Sequence, residues 1–357
     1  AMTSPESRAI RHMYRTDPRM FMQLAFRLLH PGISYQHNWS IDVLGEALAR
    51  CHSRETTRLI INMPPRSLKS VCASIAFPAW IHGVQPDQRI LCISGHRGLA
   101  DEHHHQAHQL MTHERYRGLF PHVRVSESPG RLKLPQGGVR LALTPTGAVT
   151  GIGADMIIID DPQTPQQADD PAKCAEIRNW YDRNIYQRLN DKHDGMIIVV
   201  TQRLSVDDLT THLLKQDGWE VLSLPAIATR DEYLPRSLGG GMARRKGEAL
   251  HPARESRADL RAEMLRMGAR AFCAQYQQDP YPNRHHRGGV YHTAPHSDVT
   301  GEEHKNNAVF FAQLPEELFV LDSVFGEQNS FRAGPAPMMS TEEWIERHGG
   351  MQINRTA

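Results

Sequence analysis

This sequence predicts an open α/β fold: a mainly parallel central sheet flanked by helices, reached through a helical N-terminal segment. Three observations predict it. Short apolar runs of strand length recur at Leu59–Ile61, Arg89–Ser94, Met156–Ile159, Met196–Thr201 and Trp219–Leu224. They alternate with segments of helical periodicity, the signature of strands joined by crossover helices. Two of the runs end in polar groups suited to phosphate chemistry, at the edge where open α/β sheets place their sites.

Composition bounds the rest. The chain has 357 residues, ample for a buried core, and a formal net charge of +1, so no strongly basic balance marks it as a nucleic-acid binder. Five cysteines lie far apart without a C-x-x-C pair, which suits reduced thiols. With no apolar run of membrane-spanning length and no signal-peptide core, the expected place is the cytoplasm, with no membrane partner.

Taken in order, Ser4 to Leu29 reads as a helix stopped by Pro31-Gly32, and Ile41 to Cys51 as a second amphipathic one. Between them, Tyr35-Gln36-His37-Asn38-Trp39 has two readings, a flank for an adenine base or an aromatic staple for the next helix, with the staple favoured. The first strand runs into Met63-Pro64-Pro65-Arg66-Ser67-Leu68-Lys69-Ser70, and Val71 to Trp80 reads as the helix after it. Strand, tight turn, Lys-Ser and helix is the layout of a phosphate-binding loop. Backbone N–H groups and the helix N-terminus would hold phosphates, Lys69 would reach the outer ones, and the Ser70 hydroxyl would ligate Mg²⁺. The general glycine pattern would put Gly at Met63 and Leu68, where this chain has none, so an ordinary strand-to-helix turn is the competing reading.

Leu99 to Thr112 reads as a helix in which His104 and His108, at i and i+4, have a spacing that can bind zinc; solvated histidines are the favoured reading. Leu132–Leu134 and Val139–Leu143 form a hairpin across Gln136-Gly137-Gly138. The Gly- and Thr-rich stretch Thr144 to Asp155 feeds Met156–Ile159 and then Asp160-Asp161, a buried strand delivering two carboxylates to the carboxyl edge. One acid could hold Mg²⁺ while the other polarises a water. Pro171 to Leu189 is a long helix. Gln202-Arg203 ends the Met196–Thr201 strand, where a polar residue can sense a terminal phosphate. Arg236 to Gly247 reads as a mobile Gly- and Arg-rich loop, Leu260–Met267 and Arg270–Gln278 as helices, and the chain after Asn283 as a linker and poorly patterned tail with one strand-like pair, Val309–Ala312 and Leu318–Leu321.

The ordered set I-N-M-P-P-R-S-L-K-S, F-P-A-W-I-H-G, Y-R-G-L-F-P, T-G-I-G-A-D before I-I-I-D-D-P, V-T-Q-R-L-S-V-D-D-L, W-E-V-L-S-L-P-A-I-A, G-E-A-L-H-P and A-Q-Y-Q-Q-D-P resembles the large terminase subunit of tailed bacteriophages, from about Tyr35 to Pro282. The resemblance implies a P-loop NTPase fold of the additional-strand type, with ATP and Mg²⁺ as cofactors. The implied activity is ATP hydrolysis coupled to translocation of double-stranded DNA into a procapsid. Implied partners are a portal protein, a small terminase subunit and further copies in a ring, in the bacterial host cytoplasm. It assigns Pro65, Arg66, Ser67, Leu68, Lys69 and Ser70 to the phosphate loop, with Arg66 a γ-phosphate finger or sensor. Ser70 and Asp160 fall to the cation, Asp161 stands where a catalytic glutamate commonly sits, and Gln202 and Arg203 fall in the motif coupling hydrolysis to movement.

Three departures accompany it. Leu68 replaces a loop glycine, and Ile152 stands where T-G-R-G members carry arginine. Tyr291-His292-Thr293-Ala294 resembles the start of a ribonuclease-H-like nuclease, but His292 occupies the place of its first metal-binding Asp. The expected division is a helical segment over 1–50, an ATPase domain over 51–283 and an inactive nuclease remnant over 284–357. A motor is preferred to a nuclease-less relative that binds nucleotide or DNA without turnover, and to a helicase, which would need a second motor domain.

Overall fold

The computed structural model describes residues 5–147, 151–235 and 241–280. Helices α1 (Pro5–Thr16), α2 (Pro18–Leu29) and α3 (Trp39–His52) precede the first strand, β1 (Arg58–Asn62). The single N-terminal helix expected from the sequence is two helices. Pro18 has no N–H to continue α1, and Asp17 caps α2 by accepting from the Arg19 N–H at 2.9 Å. Asn38 caps α3 in the same way through the Ser40 N–H.

After β1 and its turn come a π-helical segment (Val71–Ala76) and α4 (Phe77–Val84). Next are β2 (Arg89–Ser94), α5 (Arg97–Thr112), α6 (Glu114–Leu119), β3 (Ser126–Ser128), β4 (Arg131–Lys133), β5 (Val139–Leu143) and β6 (Met156–Asp160). The chain continues through α7 (Pro165–Ala168) and α8 (Pro171–Trp180), which a π turn and a 3₁₀ turn extend to Arg188. It then forms β7 (Met196–Thr201), α9 (Leu209–Leu213), β8 (Glu220–Ser223), β9 (Glu232–Pro235), β10 (Gly241–Arg244), α10 (Arg257–Met267) and α11 (Ala269–Gln275). Part of the stretch expected as a mobile loop is therefore strand: β10 pairs antiparallel with β9. Arg244 is buried and donates to the carbonyls of Pro225, Ala226 and Glu248, so it is not free to touch a partner. The nuclease-like start at 291–294, the strand-like pair and the rest of the tail lie outside the described residues.

The main sheet has eight strands in the order β3-β4-β5-β2-β6-β7-β1-β8. From β5 to β8 every neighbouring pair is parallel, while β3 and β4 add an antiparallel extension beyond β5. The sheet is mixed and mostly parallel, with the hairpin where the sequence predicts it. β7 lies between β1, which leads into the Lys-Ser turn, and β6, which ends in the two acids.

Side chains alternate across a strand, and here the alternation feeds two cores. Leu59 and Ile61, Ile90 and Cys92, Met156 and Ile158, and Ile198 and Val200 face one cluster with α2, α3, the π segment, α4 and α5. Ile60, Leu91 and Ile93, Ile157 and Ile159, and Ile197 and Val199 face another with Trp180, Tyr181, Ile185, Leu209 and Leu213. Burial on both faces is why these strands read as continuous apolar runs rather than alternating ones. α3 crosses residue 50 and shares the first core, so the N-terminal helices pack as part of the same body as the sheet. A smaller cluster of Ala226, Ile227, Ala249, Leu260, Phe272 and Tyr276 holds α10 and α11.

Of the α5 histidines, His105 is exposed as expected, but His103, His104 and His108 are drawn into the fold. His103 and His104 are buried, and His104 Nε2 and His108 Nδ1 lie 3.3 and 3.1 Å from the two carboxylate oxygens of Glu127 on β3. Two imidazoles straddling one carboxylate tie the hairpin edge to α5. Among the described residues, no three His, Cys, Asp or Glu side chains come together as a metal cage, and no helix is long and apolar enough to cross a membrane.

Candidate nucleotide-binding site

The register of the parallel sheet brings the sequence-predicted groups to one edge. Asn62 pairs with Thr201 across β1 and β7, and Asp160 with Val200 across β6 and β7, so the turn after β1 and the two acids meet over the tip of β7. Asn62 Nδ2 donates to the Thr201 carbonyl at 3.3 Å, and the Asp161 N–H donates to the Val200 carbonyl at 2.8 Å, which pins the edge.

The loop achieves its shape without glycine. Arg66 (φ +57°) and Leu68 (φ +64°) both occupy the left-handed region. Leu68 keeps the backbone conformation for which a glycine would be expected, while the second left-handed residue is Arg66 and not Met63. The Ser67 hydroxyl closes the turn on the Pro64 carbonyl at 2.8 Å, and the Cys72 N–H starts the following helix on the Leu68 carbonyl at 2.9 Å. Pro65 ends the extended segment and supplies no donor.

Lys69 and Ser70 each meet one of the two acids. Lys69, 5% exposed, places Nζ 3.2 Å from Oδ2 of Asp161. Ser70 Oγ donates to Oδ1 of Asp160 at 3.0 Å. Asp160 is 1% exposed, and burial, with Asp161 beside it, pushes its carboxyl well above the usual carboxylate range. A carboxylate so placed favours a proton or a cation. Magnesium is commonly held by one or two carboxylates together with substrate phosphates rather than by an all-protein cage, and Ser70 and Asp160 fit that donor set.

Asp161 has a left-handed backbone (φ +41°), and its Oδ1 accepts from the Gln202 N–H at 3.2 Å. Gly95, at the tip of β2, makes room for it: a Cβ there would lie 2.2 Å from the Asp161 carbonyl oxygen. The side-chain oxygen of Gln202 is buried at this strand tip with no hydrogen-bond partner among the described residues. Arg203 is not brought to the loop. Its guanidinium is 1% exposed, bonded to Asp208 at 2.8 Å and to Thr211 at 2.7 Å, while its N–H donates to Gln278 Oε1 at 3.0 Å. It ties the tip of β7 to α9 and to the end of α11.

Beside the loop lies a cavity of about 350 Å³, walled by Arg66, Ser67 and Leu68 on one side and by Phe26, Tyr35, Gln36, Leu250, His251 and Arg254 on others. Tyr35 stacks obliquely on Phe26 at 5.3 Å, so it braces the N-terminal helices and lines the cavity at once. Arg254 donates to the Arg66 carbonyl and pairs with Glu255. The sequence reading missed the Leu250–Glu255 wall, since those residues are distant in sequence and carry no phosphate-site pattern. It also missed Ser74 and His103, which surround Asp160.

Fold and site together define an α/β architecture with an additional strand between a Lys-Ser turn and a pair of acids. No protein-family model and no curated protein matches the chain. Among solved structures, it is similar to a mutant ATPase domain of the large terminase of Thermus phage P74-26, with a TM-score of 0.49 and 14% identity, covering 71% of this chain and 96% of that one. It is also similar to the large terminase of bacteriophage HK97, with a TM-score of 0.45 and 16% identity over 73% of this chain, which spans only 54% of that protein. A large terminase from a thermophilic bacteriophage, solved in complex with ADP, is similar at a TM-score of 0.34 and 10% identity, over 57% of this chain and 44% of that one. Likeness at this level concerns the path of the chain and assigns no role to any side chain.

Proposed function

We propose that this chain is an Mg²⁺-dependent ATPase, a motor of the large-terminase kind that moves double-stranded DNA into a procapsid in the host cytoplasm. The observation that carries the ATPase reading is the paired contact at the sheet edge, Lys69 with Asp161 and Ser70 with Asp160, across the tip of β7. Cations and hydroxyls at the start of a helix, facing buried acids, suit a polyanion with a divalent metal.

In this reading Lys69 exchanges Asp161 for the outer phosphates. That exchange frees Asp161 to orient and polarise the attacking water, with the left-handed backbone setting the reach of the short acid. Ser70 and Asp160 hold the cation, which when bound would neutralise charge developing on the phosphates. Arg66, exposed on the wall of the cavity, contacts the γ-phosphate, and the buried Gln202 oxygen senses the water or phosphate at the strand tip. Arg203 transmits that state to α9 and α11 through Asp208 and Gln278. The cavity beside the loop receives the base, with Tyr35 and Gln36 on its wall. Duplex DNA, a portal, a small subunit and a ring of copies belong to this proposal through the sequence resemblance.

The test is ATP hydrolysis by the purified chain, with and without duplex DNA, beside Lys69→Ala and Asp160→Ala. Mg²⁺-dependent turnover that falls at least about 100-fold in both variants supports the ATPase, and stimulation by DNA supports the motor. Turnover unchanged in Lys69→Ala would remove the phosphate-loop assignment. Nucleotide binding without turnover, even when copies are assembled, would favour the non-hydrolysing relative.

A further inference from the structure

Ser74 lies four residues beyond Ser70, in the π-helical segment, and nothing in the phosphate-loop pattern gives it a task. In the structure it is 1% exposed and fixed twice. Its carbonyl accepts from Nη2 of Arg140 on β5 at 3.0 Å, and its hydroxyl donates to Oδ2 of Asp160 on β6 at 2.5 Å. Arg140 is itself fully buried. Just beyond Ser74 the turn is widened: the N–H of Phe77 reaches back five residues to the Cys72 carbonyl. Such π turns often mark functional positions.

The carboxylate of Asp160 is therefore divided between two hydroxyls of one helical segment, Ser70 on Oδ1 at 3.0 Å and Ser74 on Oδ2 at 2.5 Å. His103 Nδ1 stands 3.8 Å from the same Oδ2, and 3.2 Å from the hydroxyl of Ser94 at the tip of β2. A buried helical serine can satisfy its hydroxyl on its own helix, at the carbonyl four residues back. Ser74 reaches across to another strand instead.

We propose that Ser74 is a positioning residue for the divalent cation: it holds Oδ2 of Asp160, so that Oδ1, beside the Ser70 hydroxyl, is the oxygen offered to the metal. This rests on the nucleotide reading of the site. A carboxylate with one oxygen unheld can turn about its last torsion, which spreads the position of the ligating oxygen. In a site shut off from water, the unheld oxygen also loses the one hydrogen-bond donor that reaches it among the described residues. Hydrogen bonds behind a metal ligand fix its orientation, and their loss commonly weakens metal binding about 10- to 100-fold.

The experiment titrates Mn²⁺ by electron paramagnetic resonance into the full chain holding a non-hydrolysable ATP analogue. Wild type, Ser74→Ala and Ser74→Thr are compared, with metal-free binding of a fluorescent nucleotide and thermal midpoints measured in parallel. Ser74→Ala is expected to weaken Mn²⁺ about 10-fold while metal-free nucleotide binding stays within about 2-fold, and Ser74→Thr, which keeps the hydroxyl, to recover most of the loss. Unchanged Mn²⁺ affinity in Ser74→Ala overturns the proposal. So does loss of Mn²⁺ and metal-free nucleotide binding in equal proportion, because that is general damage. A wild type that binds the analogue in neither condition overturns the nucleotide reading, and the role of Ser74 with it. A wild type that binds nucleotide normally beside a Ser74→Ala variant indistinguishable from it overturns the role of Ser74 alone.

Discussion

Leu68 and Arg66 hold left-handed backbone conformations at φ +64° and +57°, which cost a residue with a Cβ roughly 1–2 kcal/mol each. The strain persists because the neighbours over-determine the turn: Pro64 and Pro65 restrict one end, and the Cys72 N–H on the Leu68 carbonyl begins the helix at the other. Leu68 also packs against the core beneath α2 and α3, a contact a glycine would forgo. The chain thus replaces conformational freedom with packing. Branching at Cβ is least tolerated at such a φ. Leu68→Ile, of equal volume, is therefore expected to destabilise by about 1–2 kcal/mol, while Leu68→Gly stays within about 1 kcal/mol of wild type because strain relief offsets lost packing. Urea midpoints for the two variants decide it; equal losses would mean that side-chain packing and not the backbone sets the constraint.

Segments carry consequences that no single contact does. α4 packs in the core cluster on one face of the sheet, and its His82 is fully buried, with Nε2 bonded to the Gln88 carbonyl at 3.0 Å. Burial pushes its imidazole down to about 4, with the buried Arg140 acting the same way. An unfolded histidine takes up its proton near pH 6.5. Between pH 6.5 and 4 the unfolded chain therefore binds a proton that the folded chain refuses, and stability must fall as the pH falls through that window. From pH 7 to pH 5 this one group removes about 2 kcal/mol of stability. His82→Gln, which can still donate to the Gln88 carbonyl, is expected to start less stable at pH 7 but to lose about 2 kcal/mol less on acidification to pH 5. Chemical denaturation at the two pH values measures this, and parallel curves for the two proteins would show that His82 is not kept neutral by the fold.

For the whole molecule, the proposed ligand links the sheet edge to elements far along the chain. The cavity wall draws on Tyr35 and Gln36 before β1, the loop after it, and Leu250–Arg254 beyond β10. The Asn38 side chain donates to the Leu250 carbonyl at 3.0 Å, and Arg254 reaches the Arg66 carbonyl. A ligand that binds only this assembled state stabilises it by mass action, about 2.7 kcal/mol at 100 times its dissociation constant. For a chain of this size that amounts to a rise in the thermal midpoint of roughly 3–5 °C. Differential scanning fluorimetry with Mg²⁺ and a non-hydrolysable ATP analogue should show the rise in wild type and little of it in Lys69→Ala. A rise of equal size in the variant would place the nucleotide elsewhere.

How much of this was legible in the sequence varies with the range of the interaction. The parallel strands were, because burial on both faces leaves only apolar residues along Met156–Ile159 and Met196–Val200. The Lys69-Ser70 and Asp160-Asp161 pairs were legible as well, because phosphate and metal chemistry admits few residue types and local spacing fixes their place relative to a strand end. The break at Asp17-Pro18 was readable in principle from a cap followed by proline, and a helix-period reading across it went too far. Burial of His103 and His104 was not legible, since their neighbours Glu127 and Ser94 come from other strands. By itself, the sequence determined the parallel strands of the main sheet and which of them carry charge or hydroxyl at their ends, because periodicity and turn chemistry are local. The tertiary structure alone decided that β7 lies between β1 and β6, that Arg203 turns into the fold, that Ser74 meets Asp160, and that Tyr35 and Arg254 wall one cavity. Those facts depend on which strands pair and which faces pack, and that is set by burying the whole apolar surface at once rather than by any one stretch of chain.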